Sequence, residues 1–220
     1  MDTNEVKILI AVPCMDQVAA GFAQSLATLN KVGKCQVSFI CGSLIYDARN
    51  KLAAQALQEP VNSDYVMWFD SDMTFAPGTM KKLLQDMEEL PDAGIISGLY
   101  FRRSHPYTPV AFQTLDISDE NMATWTDYTG ELEGIHEVGG VGFGCVLVKT
   151  SVIYECFAKY GTCFSPIGSV GEDLSFCWRA KELGYKIYLD TDIKCGHLGH
   201  VVVTEELFRA LKGGKHESKS

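Results

Sequence analysis

The first hundred residues alternate short unbroken apolar runs with longer stretches in which apolar side chains recur every three or four positions. An unbroken apolar run of five or six residues is typical of a parallel strand that is covered on both faces. A spacing of three and four is typical of an amphipathic helix. The pattern predicts strands at 6–13, 35–40, 64–69 and 94–97, separated by helices at 17–30, 47–57 and 77–90.

Strict alternation of strand and helix predicts a parallel, right-handed sheet of the nucleotide-binding kind. Beyond residue 100 the alternation is lost, and we expect short antiparallel strands and a long loop at 101–134, then strands at 135–148 and 186–189 and helices at 150–157, 173–184 and 204–211. The predicted fold is therefore α/β, with a central, mostly parallel sheet flanked by helices and a small antiparallel part. One domain is expected at 1–211, divided into a nucleotide-binding half at 1–100 and a second half at 101–211, with a flexible tail at 212–220.

The amino-acid composition argues against some classes of binding partner. The chain has 220 residues and a net charge of -9, from 19 basic and 28 acidic residues. Such a protein lacks the basic footprint that non-specific binding to nucleic acid or anionic lipid requires. Eight cysteines occur without a CxxC pair, and no apolar run approaches the roughly 20 residues of a membrane span. With no signal-peptide pattern at the start, these features predict a cytoplasmic protein with free thiols and no membrane span.

Two carboxylates stand directly after the predicted strand 64–69, in the sequence Asp70-Ser71-Asp72. The carboxyl ends of parallel strands form the edge of the sheet at which ligands bind. Two carboxylates there repel each other unless a cation or a proton lies between them, and a Mg²⁺ or Mn²⁺ ion that carries a phosphate meets this need. The alternative is that both aspartates only cap or begin the turn that leads to Pro77.

A second acidic pair, Glu172 and Asp173, stands where a helix is predicted to begin. Acidic side chains favour helix N-termini, so capping alone could explain the pair. The functional alternative is that one of the two carboxylates reaches into the cleft and acts as general base for an acceptor hydroxyl.

His197 and His200 follow the last predicted strand. A neutral imidazole is a good ligand for Mn²⁺ or Zn²⁺. The two histidines could also form a zinc site with Cys195, although a fourth nearby ligand is missing. The remaining alternative is two loop histidines without a partner.

Arg49 and Asn50 stand at the start of the predicted helix 47–57, where they could hold a base or a phosphate at the mouth of the sheet. The alternative is a solvent-facing helical turn capped by Asp47.

A small basic cluster, Arg102, Arg103 and His105, follows the predicted strand 94–97. It could hold a pyrophosphate or an anionic acceptor, or it could be a solvated loop. The glycine-rich segment 139–144 is not a dinucleotide fingerprint, because it follows no βα unit. It either lets backbone approach a bulky ligand or turns tightly.

Taken in order along the chain, these motifs resemble those of the GT-A glycosyltransferases, especially small enzymes similar to family 2. The resemblance extends from residue 6 to about residue 203, and its elements are an Ala-Arg-Asn helix start, a strand that ends in DxD, a GxGFxxV strand, an ED helix and a late HxG. The matching segments are 48–50, 68–72, 142–146, 172–180 and 197–199.

The resemblance implies a UDP- or GDP-linked sugar donor, a Mn²⁺ or Mg²⁺ ion, and transfer of the sugar to an acceptor hydroxyl. In this family pattern the metal ligands are Asp72, supported by Asp70, and His197, while Asp173 acts as the base beside Glu172. The residues expected to contact the donor are Pro13, Asp16, Arg49, Asn50, Asp70 and Ser71.

Other activities remain open at this point. The acceptor could be a glycan, a lipid carrier, a small molecule or a modified base. The family's QxxRW helix is not visible, which speaks against processive polymer synthesis. One rival is a nucleotidyltransferase that makes the nucleotide sugar, although residues 13–16 lack the glycines and basic residues expected for it. The other rival is a non-catalytic module that binds a sugar or nucleotide.

Overall fold

A computed structural model describes residues 5–199 and residue 205 of the chain. In this part of the chain the strands are β1 (Lys7–Cys14), β2 (Lys34–Cys41), β3 (Tyr65–Phe69), β4 (Met73–Thr74), β5 (Ala93–Leu99), β6 (Ala111–Ile117), β7 (Ala123–Asp127), β8 (Ile135–Val138), β9 (Gly140–Val141), β10 (Cys145–Lys149), β11 (Lys186–Lys194) and β12 (Gly196–His197). The helices are α1 (Ala20–Thr28), α2 (Ile45–Ala56), α3 (Thr79–Glu89), α4 (Thr150–Tyr160) and α5 (Glu172–Glu182).

The main sheet has seven strands in the order β2-β1-β3-β10-β5-β11-β8. Strand β1 pairs in parallel with both β2 and β3, and β5 pairs in parallel with β11. Strands β10 and β8 run antiparallel to their neighbours. A separate antiparallel sheet joins β7, β6 and β9. The predicted α/β class, with a mostly parallel central sheet and a small antiparallel part, is confirmed.

One neighbour relationship differs from the prediction. The sequence predicted a parallel half-sheet from the strands of the first hundred residues, and in the structure β10 inserts between two of them, β3 and β5. It runs antiparallel to both, so that Cys145 lies opposite Phe69 and Val148 lies opposite Ile95. The insertion was not predicted because an unbroken apolar run shows that a strand is buried without showing its direction or its neighbour.

Strand β3 is the structural centre of the sheet. Its five residues are all buried, and they alternate between the hydrophobic clusters on the two faces. Val66 and Trp68 enter the cluster that also contains residues of α2, α4 and α5. Met67 and Phe69 enter the cluster that contains residues of α1 and α3. Each such large buried side chain contributes about 1.5–3 kcal/mol, so the residues that follow β3 have a rigid support.

A short sheet brings the late histidine to the end of β3. Strand β12 pairs with β4, which begins one residue after Asp72, and His197 lies opposite Met73. Leu198 also donates its backbone N–H to the carbonyl oxygen of Asp72 at 2.8 Å. Two segments more than 120 residues apart in the chain therefore lie side by side at the edge of the main sheet.

Three of the predicted features fall mainly outside the described residues. These are His200, the helix at 204–211 and the tail at 212–220. No helix in the part of the chain that the structure describes is long and apolar enough to cross a membrane.

Candidate functional site

A cavity of about 390 Å³ lies at the carboxyl ends of β1, β3 and β5, the edge at which the sequence predicted a ligand. We call it the acidic cavity, because four carboxylates line it. The residues that line it are Pro13, Cys14, Met15, Ser43, Ile45, Ala48, Arg49, Asp70, Ser71, Asp72, Tyr100, Arg103, Phe143, Glu172, Asp173 and His197.

Arg49 joins the two acidic motifs of the cavity. Its Nη2 donates to Asp70 Oδ1 at 2.8 Å, and its Nε donates to Glu172 Oε1 at 3.2 Å. Arg49 is only 2% exposed, and its guanidinium carbon lies 5.4–6.0 Å from the ring centroids of Trp68, Phe143 and Phe164. A buried arginine with two carboxylate partners fixes the relative position of the segments that carry them.

The charges around Arg49 shift its own pKa and that of Asp70. Burial raises the pKa of Asp70 above its usual value, and the charge of Arg49 opposes this only in part. Burial lowers the pKa of Arg49, but the charges of Asp70 and Glu172 outweigh this effect and raise it. The arginine therefore stays charged and holds both carboxylates by ion pairs.

Asp72 faces a guanidinium and an imidazole. Arg103 Nη1 donates to Asp72 Oδ2 at 2.6 Å, and His197 Nε2 lies 3.6 Å from the same oxygen. Burial raises the pKa of Asp72, but the interaction with His197 and the charge of Arg103 outweigh this and leave it below its usual value. The pKa of His197 is correspondingly raised, mainly by Asp72.

The imidazole of His197 has a fixed tautomer. Its Nδ1 lies 2.9 Å from the carbonyl oxygen of Phe101, which can only accept a hydrogen bond, so Nδ1 carries a proton. The neutral form then has its lone pair on Nε2, the nitrogen that faces Asp72. A backbone partner that orients a ring in this way is typical of histidines that bind metal ions.

The side chains around Asp72 include possible ligands for a divalent metal ion. Within residues 5–199 and 205, no group of three His, Cys, Asp or Glu side chains is arranged so that it could hold a metal ion. Asp72 Oδ2 and His197 Nε2 nevertheless provide one carboxylate oxygen and one imidazole nitrogen, a pair that suits Mn²⁺. A Mg²⁺ or Mn²⁺ ion commonly takes its remaining ligands from substrate phosphates and water. The residues present therefore fit an ion that arrives with a diphosphate.

Asp173 is the second acidic residue of the first turn of α5. Its Oδ1 accepts the backbone N–H of Leu174 at 2.8 Å. Burial and the nearby charge of Glu172 raise the pKa of Asp173 to about 6. The carboxyl group is therefore ionised at neutral pH while being more basic than an ordinary aspartate, as a general base requires.

Tyr100 contributes a hydroxyl that was not among the residues predicted from the sequence. Its oxygen accepts the backbone N–H of Gly144 at 3.1 Å, which leaves its own proton available to a ligand. A Cβ at Gly142 would collide with this hydroxyl, and a Cβ at Gly144 would lie 2.8 Å from the ring. The two glycines thus leave space for Tyr100. The feature of the sequence that could have identified this residue was its position directly after a strand that ends at the ligand edge.

Two of the predicted donor-binding residues do not line the acidic cavity. Asp16 is exposed in the loop after β1. Asn50 Oδ1 accepts the backbone N–H groups of Cys163 and Phe164 at 3.1 and 2.9 Å and so holds the loop before α5. Successive side chains of a helix diverge by about 100°, which explains why Arg49 reaches the cavity and its neighbour Asn50 does not.

Some of the remaining predicted residues line the acidic cavity and others form ion pairs elsewhere. Pro13 and Ser71 line the acidic cavity with the charged groups described above, and so does Arg103 of the basic cluster. Arg102 pairs with Asp127 instead. Asp47 does not cap α2, whose N-cap is Leu44, and it pairs with Lys51 at 2.6 Å.

The solved structures that resemble this fold include two that align with at least 90% of the chain. The crystal structure of A197 from STIV has 16% sequence identity and a TM-score of 0.60, over 90% of this chain and 97% of that chain. The crystal structure of GalNAc-T7 with UDP, GalNAc and Mn²⁺ has 9% identity and a TM-score of 0.60, over 91% of this chain. The chain spans 45% of the length of the latter. At these identities the likeness establishes the fold, and it confirms the predicted GT-A fold.

Comparison of sequences gives the family. No curated protein sequence significantly matches the chain. The model of the family described as Glycosyl transferase family 2 matches residues 42–156, just over half of the chain. The matched residues include Arg49, Asp70 and Asp72, and they end before Asp173 and His197. The chain belongs to glycosyl transferase family 2.

Proposed function

We propose that the protein is a metal-dependent glycosyltransferase that moves a sugar from a UDP- or GDP-linked donor to an acceptor hydroxyl. The observation that carries this proposal is the Arg49 bridge, which joins the DxD motif to the acidic start of α5 at the wall of one cavity. A cation-binding aspartate and a candidate base thereby line the same space. Neither a purely structural helix cap nor a purely structural turn needs this arrangement.

The donor end of the cavity combines charged and apolar groups. Asp72 and His197 would hold the Mn²⁺ or Mg²⁺ ion, with Asp70 supporting Asp72 from the other end of the DxD motif. When bound, such an ion supplies positive charge to the departing diphosphate. Pro13, Met15 and Ile45 line the cavity where β1 and the start of α2 meet, which suits the nucleoside. The use of UDP and Mn²⁺ in the GalNAc-T7 structure supports this assignment.

Asp173 is the proposed general base. An acceptor hydroxyl loses its proton as it attacks the anomeric carbon, and a carboxylate on the side opposite the leaving group can take that proton. A pKa of about 6 lets Asp173 exist as the carboxylate at neutral pH and still bind the proton firmly enough to help. Glu172 keeps Asp173 basic through its charge and is itself held by Arg49.

The wall of the acidic cavity suits an acceptor that carries hydroxyl groups. The wall offers carboxylates and the hydroxyl of Tyr100, groups that hydrogen-bond to hydroxylated molecules. A glycan, a lipid-linked sugar, a small molecule and a modified base all present such hydroxyls. All eight cysteines are free, which agrees with action in a reducing compartment such as the cytoplasm.

Slow hydrolysis of the donor tests the proposal without knowledge of the acceptor. The protein is incubated with a panel of UDP- and GDP-sugars and Mn²⁺, and release of UDP or GDP is measured. We expect release from at least one donor, with a loss of about 100-fold or more in Asp72→Ala. The control is Asp127→Ala, which removes an exposed aspartate outside the cavity and should leave the rate unchanged.

Two other results would replace the proposal. Formation of a nucleotide sugar from a sugar phosphate would identify a nucleotidyltransferase. Donor binding without turnover, with members of each acceptor class present, would identify a binding module. If transfer is observed, inversion of the anomeric configuration agrees with Asp173 as base, whereas retention would exclude that role.

A further inference from the structure

Arg103 forms an ion pair with Asp72, one of the two residues that would hold the metal ion. Its Nη1 lies 2.6 Å from Asp72 Oδ2, the oxygen that also faces His197 Nε2 at 3.6 Å. A guanidinium at this distance neutralises the carboxylate and competes with any other cation for it. The proposed metal ligand thus already has a cationic partner from the protein itself.

We propose that Arg103 is a counter-ion that exchanges partners during donor binding, and this inference rests on the proposed function. In the donor-free protein it holds Asp72 and opposes binding of a bare divalent ion. When an ion enters together with a nucleoside diphosphate, the guanidinium leaves Asp72 and pairs with a phosphate oxygen of the nucleotide. Arg103 is then a positioning residue for the diphosphate and the reason that ion and nucleotide bind together.

The surroundings of Arg103 permit this exchange. Its side chain is 53% exposed, and Asp72 is its only ion-pair partner among the described residues. Arg49, in the same cavity, has a side chain that is 3% exposed, two carboxylate partners and three aromatic neighbours. Of the two arginines, Arg103 is therefore free to change rotamer, while Arg49 is fixed. A guanidinium also matches the geometry of phosphate oxygens, to which it can donate two hydrogen bonds.

The exchange predicts effects of opposite sign on two affinities. Removal of Arg103 leaves Asp72 without a competing cation, so a bare ion should bind more tightly. The same change removes a charge-assisted partner of the diphosphate, so the nucleotide should bind more weakly. An arginine that only stabilised the loop after β5 would not produce this pair of opposite effects.

The test compares Arg103→Ala with Arg102→Ala, a matched variant whose arginine pairs with Asp127 outside the cavity. Free Mn²⁺ is measured by electron paramagnetic resonance to obtain its affinity in the absence of nucleotide. Binding of UDP and of GDP is then measured by calorimetry at saturating Mn²⁺. We expect Arg103→Ala to bind Mn²⁺ about three- to fivefold more tightly and its preferred nucleotide about tenfold more weakly. Arg102→Ala should match the wild type in both measurements.

The possible failures are distinguishable. Equal Mn²⁺ affinity of the wild type and Arg103→Ala, or wild-type binding of nucleotide by Arg103→Ala, overturns the partner exchange alone. Absence of Mn²⁺ binding to either protein, with and without nucleotide, overturns the proposed metal dependence and the exchange with it. Arg103→Lys retains the charge and should show the wild-type Mn²⁺ affinity. An Mn²⁺ affinity for Arg103→Lys equal to that of Arg103→Ala would also overturn the exchange. Circular dichroism confirms that each variant is folded.

Discussion

The acidic cavity and a second acidic cluster in the same protein show what separates a candidate site from a structural ion pair. The second cluster, Lys82, Asp86 and Asp190, joins α3 to β11, and we call it the closed cluster. Asp86 and Asp190 are each 0% exposed and share one lysine, which contacts Asp86 and lies 3.0 Å from Asp190. Neither carboxylate lines the acidic cavity.

The two regions respond differently to the same repulsion between carboxylates. In the closed cluster, burial and the neighbouring Asp190 raise the pKa of Asp86 to about 6, although Lys82 opposes them. In the acidic cavity the two aspartates of the DxD motif have separate cations, since Arg49 holds Asp70 and Arg103 holds Asp72. A close pair of carboxylates is therefore not a functional signal by itself. The signal is a pair with its own cations and an open space beside it.

The largest expected effect is the loss of turnover in Asp173→Asn. The substitution keeps the shape of the side chain but removes the proposed base, so kcat should fall about 1000-fold with little change in the KM for the donor. The wild-type rate should decline as the pH falls through about 6, because Asp173 becomes protonated. The residual rate of the variant should lack this decline. Steady-state kinetics from pH 5 to pH 8 measures both quantities.

The matched substitution in the closed cluster is Asp86→Asn, which should leave the rate and its pH profile unchanged. A fall of less than tenfold in Asp173→Asn would contradict the assigned role. If the rate of that variant still declined at acidic pH as it does in the wild type, a group other than Asp173 would cause the decline.

The next effect concerns stability. Arg49→Met removes the cation between Asp70 and Glu172 and leaves two partly buried carboxylates without it, so the free energy of unfolding should fall by about 3–5 kcal/mol at pH 7. Adding Glu172→Gln should recover part of this loss, because only one uncompensated charge then remains. Urea unfolding at pH 7 measures the differences.

Lys82→Met is the corresponding change in the closed cluster. We expect a smaller loss, roughly 1–2 kcal/mol, because Asp86 can take up a proton and then donate a hydrogen bond to Asp190. Equal losses in Arg49→Met and Lys82→Met would show that the two clusters do not differ in the way described.

The last effect has the opposite sign and is a gain in stability in Asp86→Asn. The folded protein holds the Asp86 proton up to about pH 6, whereas an unfolded chain releases it near pH 4. The wild type therefore loses stability relative to the variant as the pH rises between these values. The variant should match the wild type near pH 4 and exceed it by up to about 3 kcal/mol above pH 6 in urea unfolding.

Asp92→Asn is a control of opposite sign. The hydrogen bond from Lys186 lowers the pKa of Asp92, so its contribution to stability is present at neutral pH and disappears as the pH falls below about 4. This variant should be slightly less stable than the wild type at pH 7. A loss of stability in Asp86→Asn at pH 7 would contradict the expected sign.

The sequence predicted the features that depend on local pattern. The buried strand before Asp70, the DxD motif and the acidic start of α5 all follow from apolar runs, turn residues and helix-end preferences, and the structure contains each of them. The resemblance to GT-A glycosyltransferases then placed these motifs on one fold, which the comparisons confirm.

The features that depend on contacts between distant segments could not be read from the sequence. The Arg49 partners stand 21 and 123 residues from it, and only tertiary packing brings them together. The direction and place of β10 are likewise set by the strands it joins. Tyr100 was missed because an aromatic residue after an apolar strand is indistinguishable from a core residue until Gly142 and Gly144 are seen to pack against it.

The place of β10 also has a consequence for biosynthesis. On the ribosome the chain emerges from its N-terminus, so β3 and β5 are complete about 75 and about 45 residues before the strand that lies between them begins. Until residues 145–149 emerge, each of these two buried strands has an unpaired edge of backbone N–H and C=O groups, the kind of edge that pairs with other chains. The incomplete chain can therefore aggregate during synthesis until β10 has emerged. We expect ribosome-bound chains that stop before β10 to bind chaperones, and chains that include it to be released from them.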